Sequence, residues 1–410
     1  MREARAPAAR ALGPLQLLNF FMADAQAGIG PFLGVFLQAH GWRSGAIGSV
    51  MTIGGVAGVA MTAPAGALID ASSRKRAFIV AACFCSVLDS AIVLASQKFA
   101  LVSLSQVATA IAGAAIGPAV NGVTLGVVRQ AGFDRQNGRN QAFNHAGNVV
   151  GAGLSGFLGW RFGLVAVFWL AALFGVLAIV SALMIPGDAI DDQAARGAGE
   201  RAGDVRGFRV LAESKPLLVL AGALAFFHLG NAAMLPLYGL AVVAQDHVDP
   251  AAFVATTVVV AQAVMIGASL VAMRVAERQG YWLVLLVSFL ALPARGAIAA
   301  LLHAQWGVYP VQMLDGIGAG LQSVAVPGLV VRILNGTGRV NVGLGAVMTA
   351  QGVGAALSPA LGGWIAQEID YAPAFAILGG FALVSIALWV GFASEVKPAC
   401  NAPASGELAR

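Results

Sequence analysis

Apolar runs of about twenty residues alternate with short polar stretches along almost the whole sequence. A helix of about 20 apolar residues is long enough to cross the hydrocarbon core of a bilayer. We therefore predict twelve transmembrane helices, named spans 1 to 12 in chain order. They cover residues 14–38, 45–69, 77–97, 100–128, 141–160, 163–185, 216–244, 252–273, 281–303, 307–331, 343–366 and 372–394. The pattern predicts an all-α polytopic membrane protein.

Composition strengthens this prediction. The chain has 410 residues, of which 59% are hydrophobic and 10% are charged, whereas soluble domains carry about 25% charged residues. Its 52 glycines suit the close helix packing found in membranes. Span 1 is too long for the apolar region of a signal peptide, and no small-residue cleavage site follows it. The spacing of Cys83, Cys85 and Cys400 implies neither disulfides nor a metal-thiolate site, and we expect no cofactor.

The positive charges are distributed unequally between the two predicted membrane faces. Of the 24 Lys and Arg residues, 20 fall on the side of the N-terminus. Arg43, Lys98 and Arg161 fall on the other side, and Arg295 falls within span 9. By the positive-inside rule, we expect both termini to be cytoplasmic, and we expect the protein to lie in a bacterial inner membrane. The net charge of +5 then reflects orientation in the bilayer, and we expect no nucleic-acid partner.

A polar stretch divides the chain into two groups of six spans. Residues 186–215 are rich in small and oppositely charged side chains, a composition typical of a linker. We predict a cytoplasmic N-terminus (1–13), a six-helix bundle (14–185), a cytoplasmic linker (186–215), a second six-helix bundle (216–394) and a cytoplasmic tail (395–410). Two parallel repeats with a substrate site between them are a known plan for secondary transporters.

Features of the two halves recur at one spacing. Gly147 in span 5 and Gly354 in span 11 are 207 positions apart, as are Gly156 and Gly363. The same offset relates Asp70 to Glu277 after spans 2 and 8, and Asp24 to Asn231 in spans 1 and 7. A constant offset across three pairs of helices indicates an internal duplication.

The loop after span 2 resembles the signature Gly-x-x-x-Asp-Arg/Lys-x-Gly-Arg/Lys-Arg/Lys of the major facilitator superfamily. Gly66, Asp70, Arg74 and Lys75 match it, while Ala71 and Ser73 depart from it. The resemblance implies twelve helices in two six-helix pseudo-repeats and a charged gating loop, to which Glu277 and Arg278 contribute in the second half. The alternative is a solvated turn whose charges only enforce topology.

Span 5 resembles the motif Gly-x-x-x-Gly-Pro-x-x-Gly-Gly that is associated with exporters of this superfamily. Gly147, Gly151 and Gly156 match the motif, and span 11 offers Gly354, Pro359, Gly362 and Gly363 at the equivalent places. Generic tight helix packing is the alternative explanation of these glycines. The arginine that exporters commonly carry in the fourth helix is absent from span 4. The glycines of span 5 therefore favour export, whereas the absence of an arginine from span 4 favours uptake.

Charged residues within the spans are the strongest functional candidates, because burying them in a bilayer costs roughly 2.5–3.5 kcal/mol each. Asp24 lies about 15 Å into span 1, near the midplane, and we predict that it is the proton-coupling carboxylate. Asp315 in span 10 is predicted to form a second proton or cation site. Asp89 in span 3 and Arg295 in span 9 have an uncertain role, since the resemblance places these helices in the outer scaffold. A purely structural role is the alternative for all four residues.

Neutral polar side chains within the spans are candidates for lining a substrate cavity. His145 and His228 titrate near neutral pH in isolation, although a helix histidine is often only hydrogen-bonded. Such groups suit a polar or zwitterionic solute. The predicted lining consists of Asn19, Gln26, Gln106, Asn121, His145, Asn148, His228, Asn231, Gln262, Gln322 and Gln351.

These observations predict a secondary transporter that moves a small solute by alternating access. We expect it to be proton-coupled, exporter-like and monomeric. Proton-coupled uptake of a polar metabolite is the alternative, and a transport-inactive membrane sensor is an alternative of a different class. The sequence contains neither His-Glu-x-x-His nor Gly-x-Ser-x-Gly, and it lacks the phosphate-binding motif of ATP-driven pumps. We therefore expect no enzyme activity.

Overall fold

The computed structural model describes the backbone of residues 5–27, 29–191, 214–245, 248–302, 304–334 and 340–401. Every regular element within these ranges is helical. The first half contains α1 (Arg5–Ala27), α2 (Ile29–Ala39), α3 (Ser44–Ala71), α4 (Lys75–Ala95), α5 (Phe99–Ala114), α6 (Ile116–Phe162) and α7 (Val165–Met184). The second half contains α8 (Lys215–Asn231), α9 (Met234–Gln245), α10 (Pro250–Gln279), α11 (Tyr281–Leu301), α12 (Val308–Ile333), α13 (Val340–Glu368), α14 (Tyr371–Gly391) and α15 (Ala393–Cys400).

Ten segments of the described chain are helical, long and apolar enough to cross a membrane. The two predicted spans outside this group are span 1 and span 5. Span 1 corresponds to α1 and α2, and α1 begins at Arg5 rather than at the predicted residue 14. Span 5 corresponds to the second part of α6, whose start is rich in Asn, Gln and Arg. With these two helices, the chain has the twelve spans that hydropathy predicts.

The connection between spans 4 and 5 differs from the prediction. We expected a polar loop at residues 129–140, but α6 runs from Ile116 to Phe162 and is interrupted only at Arg129. Arg129 has φ 56°, and it is the one residue other than glycine with positive φ in the described backbone. Asn140 bridges this kink by donating to Thr124 Oγ1 at 3.0 Å and accepting from Gln136 at 2.9 Å. These bonds replace the solvent contacts that a loop would have required.

The described chain divides into two compact units. Unit 1 contains residues 1–42, 50–203 and 249–256, and unit 2 contains residues 43–49, 204–248 and 257–410. In unit 1, α1 packs on α6 and α7, and α4 packs on α5 and α7. In unit 2, α8 packs on α13 and α14, and α11 packs on α12 and α14. These pairs are equivalent under the duplication, so each unit repeats the same set of helix contacts.

Glycine permits the closest of these contacts. A methyl group added at Gly147 of α6 would collide with the carbonyl oxygen of Phe20 in α1. A methyl group added at Gly354 of α13 would collide in the same way with the carbonyl oxygen of Ala225 in α8. Small residues let membrane helices approach backbone to backbone. The two glycines that are 207 positions apart therefore perform the same packing role in their respective units.

The surface of the helices matches a lipid environment. Large apolar side chains such as Trp169 and Leu301 are 67% and 81% exposed. Exposed apolar area of this extent is unusual for a soluble monomer, but it is the expected surface of helices that face lipid.

Candidate functional site

An ion pair lies inside unit 2, between α11 and α12. Arg295 Nη1 donates to Asp315 Oδ1 at 2.7 Å and to Asn231 Oδ1, also at 2.7 Å. Asn231 Nδ2 donates to Asp315 Oδ1 at 3.3 Å. The Arg295 side chain is only 1% exposed, whereas that of Asp315 is 16% exposed. Three helices therefore contribute one group each to a charge-balanced cluster that solvent reaches at the carboxylate.

The same cluster contains more hydrogen-bond donors than acceptors. Arg295 Nη2 donates to Gln312 Oε1 at 3.3 Å. Arg295 Nε and Gln312 Nε2 are both buried, and neither has an acceptor among the described residues. Leaving a buried donor unpaired costs about 1–3 kcal/mol, so these two donors raise the energy of the cluster as it stands.

A second polar chain in unit 2 begins at His228. Its Nε2 lies 3.1 Å from Gln322 Oε1, Gln322 Nε2 donates to Ser288 Oγ at 2.9 Å, and Ser288 Oγ donates to the Gly318 carbonyl at 3.0 Å. The Gly318 carbonyl can only accept, so the Ser288 hydroxyl donates to it and accepts from Gln322 Nε2. Gln322 therefore faces His228 with its acceptor oxygen Oε1. It follows that His228 donates through Nε2–H. His228 lies three positions before Asn231 in α8, on the same side of the helix as the ion-pair cluster.

Unit 1 contains a related but differently charged contact. Gln106 Nε2 of α5 donates to both carboxylate oxygens of Asp89 in α4, at 3.0 and 3.2 Å. Asp89 is 4% exposed, so its carboxylate is buried against Gln106. Asp89 and Gln106 lie 206 positions before Arg295 and Gln312. The two units therefore share one helix-to-helix contact but place opposite charges in it.

Several predicted site residues lie apart from these clusters. Asn19 is 5% exposed and donates to the Leu15 carbonyl of its own helix at 2.8 Å, which is a packing arrangement. Asn148 donates to Asn144 at 3.3 Å. Asn121 and His145 are exposed, and Gln262 and Gln351 are half-buried. The side chains of Asp24, Gln26, Asp70 and Glu277 lie outside the described residues.

The predicted gating loop is described only in part. Lys75 is 1% exposed and donates to the Ser72 carbonyl at 2.8 Å. Arg74 is exposed, as is Arg278 in the equivalent loop of unit 2. The loop therefore combines one buried cation with accessible arginines.

Gln312 and Ser288 were not among the residues predicted to form the site. Gln312 precedes Asp315 by three positions, and Ser288 precedes Arg295 by seven. Residues at these spacings lie on one face of a helix. A search for polar residues on the same helix face as each intramembrane charge would have found both.

Comparison with known proteins agrees with the architecture. The family model described as Major Facilitator Superfamily matches residues 15–341. A protein of Mycobacterium tuberculosis, described as an uncharacterized MFS-type transporter in the strains CDC 1551 / Oshkosh and ATCC 25618 / H37Rv, is 39% identical over 396 residues. That alignment covers 93% of this chain and 94% of the relative.

Solved structures show the same fold at low sequence identity. The nucleoside transporter NupG has a TM-score of 0.74 and 16% identity, with 96% of this chain and 99% of that chain covered. A bacterial homolog of the human lysosomal transporter Spinster, in an inward-facing and unoccupied conformation, has a TM-score of 0.72 and 14% identity. That match covers 97% of this chain and 99% of the other.

Proposed function

Because the chain belongs to the major facilitator superfamily, and is thus a multi-pass secondary transporter rather than an enzyme, we propose that it exchanges protons for a small polar solute. The Arg295–Asp315 pair carries this proposal, since it is a charged pair held within two membrane-spanning helices. Intramembrane ionisable residues are functional candidates by default, because their insertion cost needs a compensating role.

Protonation of Asp315 would change the energy of the whole cluster. The ion pair is neutral while Asp315 is ionised, but a proton on Asp315 would leave the guanidinium of Arg295 buried without a countercharge. Breaking a buried ion pair in this way costs about 3–5 kcal/mol. A conformation that supplies another partner to Arg295 would then be favoured. Proton binding at Asp315 can thereby be linked to alternating access.

The free donors of the cluster define the class of solute. Arg295 Nε and Gln312 Nε2 are buried N–H groups that have no acceptor among the described residues, and Asp315 keeps an accessible carboxylate. These groups complement a polar or zwitterionic solute that carries both acceptors and a donor. The solute would compete with the internal ion pair for the same atoms, which is a direct route to proton coupling.

Asp24 remains our proposal for the proton-coupling carboxylate in the first half. It is the duplication equivalent of Asn231, which contacts both members of the ion pair. A carboxylate at that equivalent place supports a role for Asp24 in proton coupling, in addition to that of Asp315. The variants Asp24→Asn and Asp315→Asn separate the two contributions.

For direction, we propose export. The glycines of α6 and α13 support this, since Gly147 and Gly354 both make backbone contacts of the kind that the exporter motif provides. Uptake by proton symport is the second candidate, favoured by the absence of an arginine from span 4. We further propose a monomer in the bacterial inner membrane with both termini in the cytoplasm, on the basis of the positive-inside rule.

Proteoliposomes provide the test. A thermal-shift panel of nucleosides, sugars and amino acids would first identify a solute that stabilises the purified protein; nucleosides are included because NupG is a nucleoside transporter. Solute-driven pH change in the lumen would then be measured for wild type, Asp24→Asn and Asp315→Asn. We expect Asp315→Asn to retain solute counterflow and to lose proton movement. Full coupling in Asp315→Asn would contradict its proposed role.

A further inference from the structure

A cavity of about 220 Å³ lies in unit 1, where α4 begins and the chain leaves α7. It is lined by Ser73, Arg74, Lys75, Arg76, Gly187 and Ile190, together with Ala77. Sites for whole drug-sized ligands are larger, at roughly 300–1,000 Å³. The cavity is therefore suited to one small charged group, and its three consecutive cations select an anion.

Two of the three cations are anchored by backbone carbonyls. Lys75 donates to the Ser72 carbonyl at 2.8 Å, and Arg76 Nη1 donates to the carbonyl of Ile185 at the end of α7. Arg74 is exposed, and it forms no ion pair with any side chain that the structure describes. Its exposed side chain lines the cavity and can be reached by a ligand.

The start of α4 adds to the attraction for an anion. This helix has 21 residues, and its N-cap residue, Arg74, makes no side-chain capping bond. The N-terminus of a helix carries a partial positive charge and free N–H groups, which favour phosphate and carboxylate groups. Asp188, the acidic residue directly after Gly187, is not among the residues that line the cavity.

Apolar side chains at the end of α7, a few residues before Gly187 in the cavity wall, indicate the source of the anion. Leu183 and Met184, which directly precede Ile185, are 62% and 56% exposed. Exposed apolar side chains at the end of a spanning helix suit acyl chains rather than water. Basic pockets between membrane helices are a known way to hold anionic lipid headgroups. A soluble phosphate would make no use of Leu183 or Met184.

We propose that this cavity binds the phosphate group of an anionic membrane lipid, with its acyl chains lying along the end of α7. Arg74 and the start of α4 hold the phosphate, while Arg76 fixes the wall of the cavity against Ile185. The lipid would stabilise the packing of α4 on α7 independently of the solute that the protein transports.

Native mass spectrometry of the purified full chain tests this proposal. The apparent Kd of phosphatidylglycerol would be compared with that of phosphatidylcholine carrying the same acyl chains. We expect phosphatidylglycerol to bind more tightly than phosphatidylcholine. Arg74→Gln should weaken phosphatidylglycerol binding about five-fold, as expected for one cation near a lipid surface. Arg74→Lys should restore most of the affinity. Arg274→Gln, which removes an exposed arginine of unit 2, is the matched control and should have no effect.

A variant without a change of charge separates the cavity from general surface attraction. A methyl group at Gly187 would lie 3.1 Å from Arg76 Nη2, so Gly187→Val should block the cavity and also weaken phosphatidylglycerol binding. Its thermal unfolding would confirm that it is folded, and Arg74→Gln tests the site independently if it is not. Unchanged binding by both variants would overturn the proposal. Equal affinity for glycerol phosphate and for phosphatidylglycerol would overturn the assignment to a lipid.

Discussion

Arg295 and Asp315 share one hydrogen bond of 2.7 Å but differ in their access to solvent, since the arginine is 1% exposed and the aspartate is 16% exposed. This inequality determines which partner can change. The guanidinium is enclosed by Asn231 and Gln312 and has a charge that is fixed at physiological pH. The carboxylate is the more accessible member of the pair, so we propose that Asp315 is the one that exchanges partners.

The first prediction concerns the stability of this pair. Asp315→Leu should destabilise the folded protein by about 3 kcal/mol, because it leaves Arg295 buried without a countercharge. Arg295→Leu should destabilise the protein less, because the carboxylate of Asp315 that remains is partly exposed. The double variant should recover much of the loss. Free energies of unfolding in detergent, measured for wild type, both single variants and the double variant, give the coupling energy between the two residues. Additive effects would show that the pair contributes nothing specific.

The second prediction concerns the backbone contacts at Gly147 and Gly354. Alanine at either position should destabilise its unit by about 1–3 kcal/mol, because the added methyl group overlaps a carbonyl oxygen. Gly153 of α6 and Gly345 of α13 have open space around them, so alanine there should be neutral or slightly stabilising. Thermal unfolding midpoints of the four variants would check this. Equal effects at contact and control positions would contradict it.

The third prediction concerns Asp89. Asp89→Asn should leave stability nearly unchanged, because its amide oxygen can still accept from Gln106. Asp89→Leu should cost about 1–3 kcal/mol by leaving the Gln106 amide unpaired. We also expect Asp89→Asn to keep proton-coupled flux in proteoliposomes, unlike Asp315→Asn. A loss of coupling in Asp89→Asn would show that Asp89 also takes part in proton coupling.

The fourth prediction concerns the thiol of Cys400 in α15. Burial raises the pKa of this thiol to about 12, so the reactive thiolate is scarce below that pH. The folded protein should therefore resist alkylation at Cys400 at pH 8 and react there after unfolding in SDS, as measured by peptide mass. Arg332 donates to the Cys400 carbonyl at 2.9 Å. Arg332→Gln should release α15 and speed the reaction, whereas rapid labelling of wild type would show that α15 is not docked.

Periodicity and length predicted the helices well because crossing a bilayer imposes one length on each apolar run. The exception was residues 129–140, where polar composition suggested a loop. Asn140 donates to Thr124 and accepts from Gln136, so these polar side chains pair with one another within the helix. A hydropathy profile contains no information on such pairing.

Most residues of the candidate site were predicted, apart from Gln312 and Ser288, but their contacts were not. Asp315, Asn231, His228 and Gln322 were each identified as polar residues within apolar spans. The role of Arg295 was left uncertain, although it is the residue that joins Asp315 to Asn231. The contact between α11 and α12 depends on packing in three dimensions, so the spacing of residues along one helix could not reveal it.

Asp89 contacts Gln106, and Arg295 contacts Gln312 at the equivalent place in the second half. This repeated contact has a consequence for exchanging the two halves. Both halves have a hydrogen bond between the same two helices, but the first half has an acid there and the second half has a base paired with Asp315. A chimera built from two first halves would carry two acids without this partner, and one built from two second halves would carry two ion pairs. The two halves are therefore not interchangeable in charge.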